Sequence, residues 1–314
     1  MVHKPSEPAP ILLITYKRAE YIDIILNILI SSGVKKIYVA SNAPKNDSEY
    51  EVDAVLNCRE KIKSYEDKID IEKRFLKEHL QVNESIISAI DWFFSNVERG
   101  IILEDDIIPS RDFLFFSTAM LEKYEYNSRV MHIAGMTYVE APNQISSYHF
   151  VDAGGIWGWA TWQDKWKNIH NYRKIIEAEL ARKILEFKFK NASRCLYKHY
   201  LTLLKECESN NNPSWDYRWI IVRLTLDSIN IMPCKNLVRN VGFADAMAEN
   251  TKYKNNFFQS LEVSGLNWPL IEPSEVCIDH DFSIKNLKMV FDCTFLGVFK
   301  RKVKEIIKRT LLQR

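Results

Sequence analysis

Short apolar runs alternate with segments of helical character over the first 135 residues, and this alternation restricts the fold more than any other feature of the sequence. The apolar runs are ILLITY (11–16), KKIYVAS (35–41), IDIEKRFL (69–76), GIILEDD (100–106) and RVMHIAG (129–135). The helical segments between them cover 19–32, 48–67, 84–97 and 110–126. Strands and helices that alternate with short connections predict an α/β fold with a doubly wound, mostly parallel sheet.

The loops that follow three of these strands are expected to form one site. Parallel strands present their carboxyl ends at the same edge of a sheet, so the loops after Tyr16, Ser41 and Asp106 would open there together. Ligands of open α/β sheets bind beyond that edge. Residues that carry chemistry are therefore expected in these loops.

The pattern changes near residue 150. Residues 152–166 are rich in Trp and Gly, 170–208 are charged and helical, and 215–229 are amphipathic. A further strand is predicted at INIMPC (229–234), and 236–282 is expected to be rich in loops. No Pro-, Ser- or Gly-rich linker separates the two halves, so we expect one continuous unit and not two independent domains.

The charge distribution argues against a dedicated nucleic-acid binder, because 43 basic residues nearly balance 41 acidic ones. The C-terminal stretch 298–314 is the exception, with seven basic residues and one acidic residue. Its apolar residues Phe299, Val303 and Leu311 fall on one helical face, which predicts an interfacial helix on an anionic membrane surface. The alternative is a solvated terminal helix that docks on its own domain.

The remaining composition points to the cytoplasm, with a peripheral position at the inner face of the cell membrane through 298–314. No apolar run reaches the roughly 18 residues that span a bilayer, and MVHKPSEPAP lacks the apolar core of a signal peptide. The six cysteines form no CxxC pair and are expected to be free thiols in a reducing compartment.

Three adjacent acids close the fourth predicted strand. Glu104, Asp105 and Asp106 directly follow the apolar GIIL, and like charges this close require a cation or a dipole to offset their repulsion. A hard divalent cation held by one or two carboxylates, substrate phosphates and water would do so. The alternative is a solvated loop with a helix N-cap. The chain contains no HExxH, GxxxxGKS or GxGxxG sequence, which argues against zinc, P-loop and dinucleotide-binding sites.

Several segments resemble one bacterial family in the same order along the chain. They span about 11–245 and are ILLITYKRAEY (11–21), YVASNAP (38–44), SAIDWFF (88–94), GIILEDDIIPSRDFLFF (100–116), VMHIAG (130–135), IWGWATW (156–162), SWDYRW (214–219) and KNLVRNVGF (235–243). The family comprises nucleotide-diphospho-sugar transferases of the GT-A (Rossmann-like) fold and is similar to N-acetylglucosaminyltransferase I. We expect a leader (1–10), a catalytic domain (11–282) and a basic amphipathic C-terminal segment (283–314). Within the catalytic domain, 11–135 would be the nucleotide-sugar half and 136–282 the acceptor half.

The same resemblance implies roles for the acid triplet and for one further aspartate. Asp106 would ligate Mn²⁺ or Mg²⁺, and Asp105 would lie near the ribose or assist the metal. Glu104 would support the loop beside the nucleotide sugar. Asp216 would be the general base on the acceptor hydroxyl, a role that apolar neighbours favour because they raise the pKa of a carboxylate. The alternative for Asp216 is an ordinary aspartate in the first turn of a helix.

Other expected contacts lie in the two loops after the first strands and in the Trp-rich segments. The resemblance implies that Thr15, Arg18 and Asn42 contact the nucleotide. Aromatic faces commonly stack on sugar rings, so Trp157 or Trp159 is expected to face the acceptor. Trp215 is also expected at the acceptor, whereas Trp162 is expected in the core.

The chain departs from the family pattern in two places. His79, Leu80 and Gln81 stand where the family has Asn-Leu-Gly, and GFADAMAENT (242–251) lacks the histidine of a Thr-His-Thr-like turn. These differences keep open a non-catalytic glycan-binding or scaffold protein with the same fold.

The sequence as a whole predicts a metal-dependent, inverting glycosyltransferase. It would transfer a hexosyl or N-acetylhexosaminyl group from a nucleotide-diphosphate sugar, with UDP as the expected nucleotide. The acceptor would be a cell-surface glycan (lipopolysaccharide or capsule) or a lipid-linked saccharide. A sugar-nucleotide pyrophosphorylase is the enzymatic alternative, although TYKRAE (15–20) lacks the glycine-rich loop expected after its first strand.

Overall fold

The computed structural model describes residues 1–45, 49–139, 145–242, 258, 260–291 and 293. The strands are β1 (Ile11–Thr15), β2 (Lys36–Ser41), β3 (Asp70–Phe75), β4 (Arg99–Glu104), β5 (Ile107–Pro109), β6 (Val130–Ala134), β7 (Tyr148–Val151), β8 (Trp159–Trp162), β9 (Ile229–Pro233) and β10 (Val238–Asn240). The α-helices are α1 (Ala19–Ser31), α2 (Glu49–Lys63), α3 (Val82–Asn96), α4 (Arg111–Lys123), α5 (Gln163–Trp166), α6 (Tyr172–Ile175), α7 (Ala178–Leu185), α8 (Arg194–Ser209), α9 (Trp215–Thr225) and α10 (His280–Val290). A 3-10 turn (Lys167–Asn171) precedes α6, and a π turn (Glu186–Lys190) follows α7.

Eight of these strands form the central sheet, in the order β3-β2-β1-β4-β8-β6-β9-β7. Strands β3, β2, β1, β4, β6 and β9 point in one direction, and β8 and β7 run against them. The predicted α/β class with a mostly parallel sheet is therefore confirmed. The five predicted strands of the first half and the strand at 229–234 are all present, with bounds that differ by no more than two residues.

The sheet lies between two layers of helices because its central strands are apolar on both faces. In β1, Ile11 and Leu13 join a buried cluster with residues of α1 and α4. Leu12, which points to the opposite face, joins a second cluster with residues of α3 and α9. This alternation with a period of two explains why ILLIT is an uninterrupted apolar run.

Four short strands were not predicted from the sequence. Strand β8 is inserted antiparallel between β4 and β6, β7 forms the edge beside β9, and β5 and β10 form a separate two-stranded ribbon. In the ribbon, Ile107 pairs with Asn240, which brings the residues after β10 next to the end of β4.

The predicted domain boundary after residue 282 falls inside helix α10. Ser283 and Asn286 are buried, the Ser283 hydroxyl donates to Asp152 Oδ2 at 3.0 Å, and Asn286 Oδ1 accepts from the backbone N–H of Tyr138 at 2.8 Å. Residues 283–290 therefore belong to the main fold, not to an appended segment. The predicted amphipathic segment 298–314 lies outside the described residues.

The expectation that all six cysteines are free is wrong for one pair. Cys195 in α8 and Cys293 form a disulfide bond, which attaches the chain after α10 to α8. Cys58, Cys207 and Cys234 are buried thiols. Within the described part of the chain, no helix has the length and apolar character needed to cross a bilayer.

Candidate functional site

A cavity of about 640 Å³ opens at the carboxyl ends of β1, β2 and β4, where the sequence predicted a site. The loops after these strands form its floor, and the segments 156–157 and 214–217 form further walls. Nine of the predicted site residues line it, and they are Thr15, Arg18, Asn42, Glu104, Asp105, Asp106, Trp157, Trp215 and Asp216. Residues that are far apart in the sequence, from Ile14 to Asn240, therefore line one cavity.

The acid triplet and the loop after β1 are joined by hydrogen bonds. Strands β1 and β4 are parallel neighbours with Ile14 opposite Glu104, so the loops that follow them begin side by side. Asp105 is buried, and its Oδ2 accepts from the backbone N–H of Tyr16 at 2.8 Å. Its Oδ1 accepts from Arg18 Nη1 at 2.9 Å. The Asp105 carboxylate therefore fixes the loop that carries Arg18.

Asp106 is held from the side of the β5–β10 ribbon. The backbone N–H of Val241 donates to the Asp106 carbonyl at 2.9 Å, and Arg18 Nη1 lies 3.2 Å from Asp106 Oδ2. A Cβ at Gly242 would lie 2.3 Å from the same carboxylate oxygen, so a larger residue at this position would displace the Asp106 side chain. Asn240 Oδ1 accepts from the Gly242 N–H at 2.9 Å and orients the turn. The resemblance included this segment, but its contact with Asp106 was not foreseen.

Glu104 differs from its two neighbours in ionisation. Its removal from water, with the negative charges of Asp106 and Asp105 as further causes, raises the pKa of Glu104 to about 8. Arg18 acts in the opposite direction, and the charge of Asp216 adds to the increase. Glu104 therefore keeps its proton at neutral pH and can donate as well as accept a hydrogen bond.

Of the two aspartates in the acid loop, Asp106 is the better candidate ligand for a divalent cation. Each oxygen of Asp105 already accepts an N–H, so Asp105 is better suited to hold the loop than to ligate a metal. Among the described residues, no group of three or more His, Cys, Asp or Glu side chains is arranged to hold a metal ion. Mg²⁺ often takes only one or two protein carboxylates and completes its coordination with substrate phosphates and water, so Asp106 satisfies this requirement.

The loops after β2 and β3 are attached to each other by side chains. Asn42 Nδ2 donates to the Leu80 carbonyl at 2.8 Å, and its Oδ1 accepts from the N–H groups of Leu80 and Ala43. Arg59 donates to the Asn42 carbonyl at 3.0 Å, and His79 Nδ1 lies 2.7 Å from the Ala43 carbonyl. Asn42 therefore has a defined structural role, and only its second amide N–H remains for the predicted nucleotide contact.

Several cavity residues carry no prediction from the sequence. Lys17, Lys45 and Gln81 line the cavity together with Tyr16 and His79. Lysines in a loop are so common on protein surfaces that their position alone carries no functional signal. Thr15 lies at the end of β1 as expected, but its hydroxyl is buried and directed at the Ala40 carbonyl at 3.5 Å.

Asp216 is in the first turn of α9 and faces the cavity. The Ser214 hydroxyl donates to its Oδ1, and the backbone N–H of Tyr217 donates to the same carboxylate. Burial is the largest cause of the change in pKa, and it raises the pKa of Asp216 above its usual 3.8 in spite of these donors. A carboxylate with a raised pKa in a cavity has the properties of a general base.

A buried histidine fixes helix α9 against the sheet. His132 in β6 accepts from Trp219 Nε1 at its Nδ1 over 3.3 Å, and its Nε2 donates to the Gly155 carbonyl at 2.9 Å. Burial and the charge of Arg223 lower the pKa of His132 well below its usual value, so it stays neutral. This tautomer links the helix of Asp216 to the loop before Trp157.

Trp157 and Trp215 are the tryptophans that reach the cavity. The Trp157 ring packs edge-on against Tyr138, with ring centroids 6.0 Å apart, and against Phe258 at 5.2 Å. The backbone N–H of Trp215 donates to Asn83 Oδ1 at 3.0 Å. Both remain candidates for contact with a sugar ring.

Trp159 is corrected from an acceptor contact to a core residue. It is 1% exposed, stacks on His132 with centroids 5.2 Å apart, and does not line the cavity. Its strand β8 is covered on both faces, so the ring cannot reach a ligand. Trp162 is also buried, as expected.

Comparisons with known proteins extend the description of the fold only. The sequence matches no protein-family model and no curated protein. The structure is similar to residues 1–349 of Staphylococcus aureus TarS at 10% identity and a TM-score of 0.34, over 53% of this chain and 49% of that one. Apo UDP-glucose pyrophosphorylase has 9% identity and a TM-score of 0.37, over 72% and 90%. UDP-glucose pyrophosphorylase complexed with UDP-glucose has 12% identity and a TM-score of 0.32, over 52% and 80%.

The similarity to these solved structures is remote. The chain spans about half the length of the TarS fragment. At such identities and TM-scores the similarity assigns no reaction. The resemblance to N-acetylglucosaminyltransferase I stays a prediction from the sequence motifs.

Proposed function

We propose that the protein is a metal-dependent, inverting glycosyltransferase that uses a nucleotide-diphosphate sugar, with UDP as the expected nucleotide. The observation that carries the proposal is the meeting of two sets of groups in one cavity. One set is the acid loop with Asp106 and its neighbour Arg18, and the other is the half-buried carboxylate of Asp216. The group transferred would be a hexosyl or N-acetylhexosaminyl unit.

The acid loop would bind the diphosphate end of the donor. Asp106 would hold Mn²⁺ or Mg²⁺, which when bound supplies positive charge to the departing diphosphate. Arg18 lies beside Asp106 and can donate to phosphate oxygens in a bidentate geometry. Glu104, protonated at neutral pH, can donate to an oxygen of the donor. Lys45 adds positive charge to the same cavity.

Asp216 would take the proton from the attacking acceptor hydroxyl. Its raised pKa strengthens it as a base, and the Ser214 hydroxyl orients the carboxylate. The acceptor oxygen then attacks the anomeric carbon from the side opposite the diphosphate, so configuration inverts. Trp157 and Trp215 line the cavity and would contact the acceptor sugar. The proposed acceptor is a cell-surface glycan or a lipid-linked saccharide.

The assay measures transfer from UDP-sugars with Mn²⁺, first to water and then to lipid-linked saccharide acceptors, and NMR determines the anomeric configuration of the product. We expect inversion and a loss of activity of about 100-fold or more in Asp216→Asn, the range expected for a general base. Asp164→Asn is the matched control, because Asp164 is also in the first turn of a helix (α5) but is outside the cavity. It should keep full activity.

Other outcomes would contradict the proposal in different ways. A retained configuration would overturn the role of Asp216 as the base. Formation of a nucleoside triphosphate from UDP-sugar and pyrophosphate would identify a pyrophosphorylase. Failure to bind any UDP-sugar, with or without Mn²⁺, would favour the non-catalytic scaffold.

A further inference from the structure

We propose that Arg18 is a built-in competitor of the divalent cation, so that cation and nucleotide diphosphate bind together and the cation alone binds poorly. In the absence of donor, the guanidinium offsets part of the negative charge of the acid loop. When donor binds, the diphosphate attracts the guanidinium away from Asp106 and leaves this carboxylate to the cation. The inference rests on the proposed function, because it assigns the acid loop to the diphosphate.

One nitrogen of Arg18 serves both carboxylates. Nη1 lies 2.9 Å from Asp105 Oδ1 and 3.2 Å from Asp106 Oδ2. The three side chains are only 18%, 5% and 19% exposed, so water screens the charges less than at an open surface. A divalent cation that approaches Asp106 Oδ2 therefore meets a positive charge about 3 Å away. The repulsion opposes binding of the cation alone.

The geometry lets Arg18 give up one carboxylate and keep the other. Asp105 is fixed by the backbone N–H of Tyr16 and makes the shorter contact with Arg18, so this pair can persist. The Asp106 contact is the longer one. A guanidinium carries its N–H donors in a planar fork, and this geometry matches phosphate oxygens as well as carboxylates.

The turn after β10 fixes the backbone of Asp106 beside Arg18. A Cβ at Gly242 would be 2.3 Å from Asp106 Oδ2, and the Val241 N–H donates to the Asp106 carbonyl. Oδ2 therefore stays within reach of the guanidinium, and an anion that attracts the guanidinium would weaken this contact in favour of the cation.

The sequence supplies a matched control at the adjacent position. Lys17 lines the same cavity, but its ammonium lies over the Tyr16 ring at 5.7 Å from the centroid, and its charge lowers the pKa of Glu51. Lys17→Gln therefore removes one positive charge from the cavity without removing the Arg18 contact. Arg18→Gln removes the contact, and Arg18→Lys keeps the charge.

Calorimetry measures the affinity of the full chain for Mn²⁺ alone and for UDP alone in the presence of EDTA. It then measures the affinity for each ligand in the presence of the other. In the wild type we expect Mn²⁺ to bind weakly alone and UDP to tighten it by about tenfold or more, with the reciprocal effect of Mn²⁺ on UDP. Arg18→Gln should bind Mn²⁺ alone about tenfold more tightly, and the coupling to UDP should fall by the same factor, because only the direct attraction between cation and diphosphate remains. Arg18→Lys and Lys17→Gln should keep the weak binding of Mn²⁺ alone. Thermal unfolding confirms that each variant is folded.

Two results would overturn the inference. One is equal affinity of wild type and Arg18→Gln for Mn²⁺ alone. The other is an affinity for Mn²⁺ that rises in Lys17→Gln as much as in Arg18→Gln. The second result would indicate that the total positive charge of the cavity opposes the cation, and not the direct contact of Arg18. Failure of the proposed function gives a different result, namely no binding of UDP in any variant. Tighter binding of Mn²⁺ by Arg18→Gln would still support competition in that case.

Discussion

The unusual ionisation of Glu104 predicts a specific dependence of stability on pH. Its pKa in the folded protein is about 8, compared with an ordinary value of 4.5. Between these pH values the folded chain keeps a proton that the unfolded chain has released. The free energy of unfolding therefore falls as the pH rises from 4.5 to about 8, because the proton must leave a half-buried carboxyl next to Asp106 and Asp105.

The difference between the two pKa values of Glu104 sets the size of the change in the free energy of unfolding. Each unit of pH between these values lowers the free energy of unfolding by at most about 1.4 kcal/mol, which gives a ceiling of about 5 kcal/mol above pH 8. Water in the cavity screens part of the repulsion, so we expect about half of the ceiling. Glu104→Gln has the same shape as protonated Glu104 and cannot ionise. It should therefore gain about 2 kcal/mol relative to the wild type between pH 5 and pH 9.

Urea denaturation of both proteins at pH 5, 7 and 9 measures this difference. Glu60→Gln is the matched control, because Glu60 is an exposed glutamate on α2, and its difference from the wild type should not change with pH. A constant difference between Glu104→Gln and wild type would refute the reasoning. So would a difference that decreases as the pH rises.

Four further results are expected from the structure. Transfer activity should fall on the acidic side at a pH above 3.8, because the pKa of Asp216 is raised, and a profile that stays flat to pH 4 would contradict its role. Trp157→Ala should raise the KM for acceptor at least about tenfold with little change in the KM for donor in steady-state kinetics. Trp159→Ala should cost about 3–5 kcal/mol in urea unfolding, because it opens a cavity in the core. Cys293→Ser should lower the stability of the oxidised protein by about 2–4 kcal/mol and leave that of the reduced protein unchanged.

The central strands were predictable because their environment is uniform. Strands β1 and β4 are apolar on both faces, and each is followed or preceded by a helix with a clear apolar stripe. Strand β8 was not predictable, because its four residues WATW are all buried and show no alternation. Tryptophan also gives the same signal in a sugar-binding wall and in a core. For this reason Trp157 and Trp159 could not be separated until their neighbours were known.

The candidate site was predictable in its members but not in its contacts. The end of a parallel strand predicts where Glu104, Asp105 and Asp106 lie, because the edge of the sheet collects such ends. Nothing in the sequence indicates that Arg18 contacts two of them, since the contact depends on the register of β1 against β4. Helix α10 was missed as a part of the main fold because only a few of its residues are buried, and two of those are the polar Ser283 and Asn286.

A crystal structure with UDP and Mn²⁺ tests the central claim most directly. The account predicts that the diphosphate occupies the 640 Å³ cavity, that the cation is ligated by Asp106, and that Arg18 donates to phosphate oxygens in place of the Asp106 carboxylate. A nucleotide bound outside this cavity, or a cation that does not contact Asp106, would contradict it.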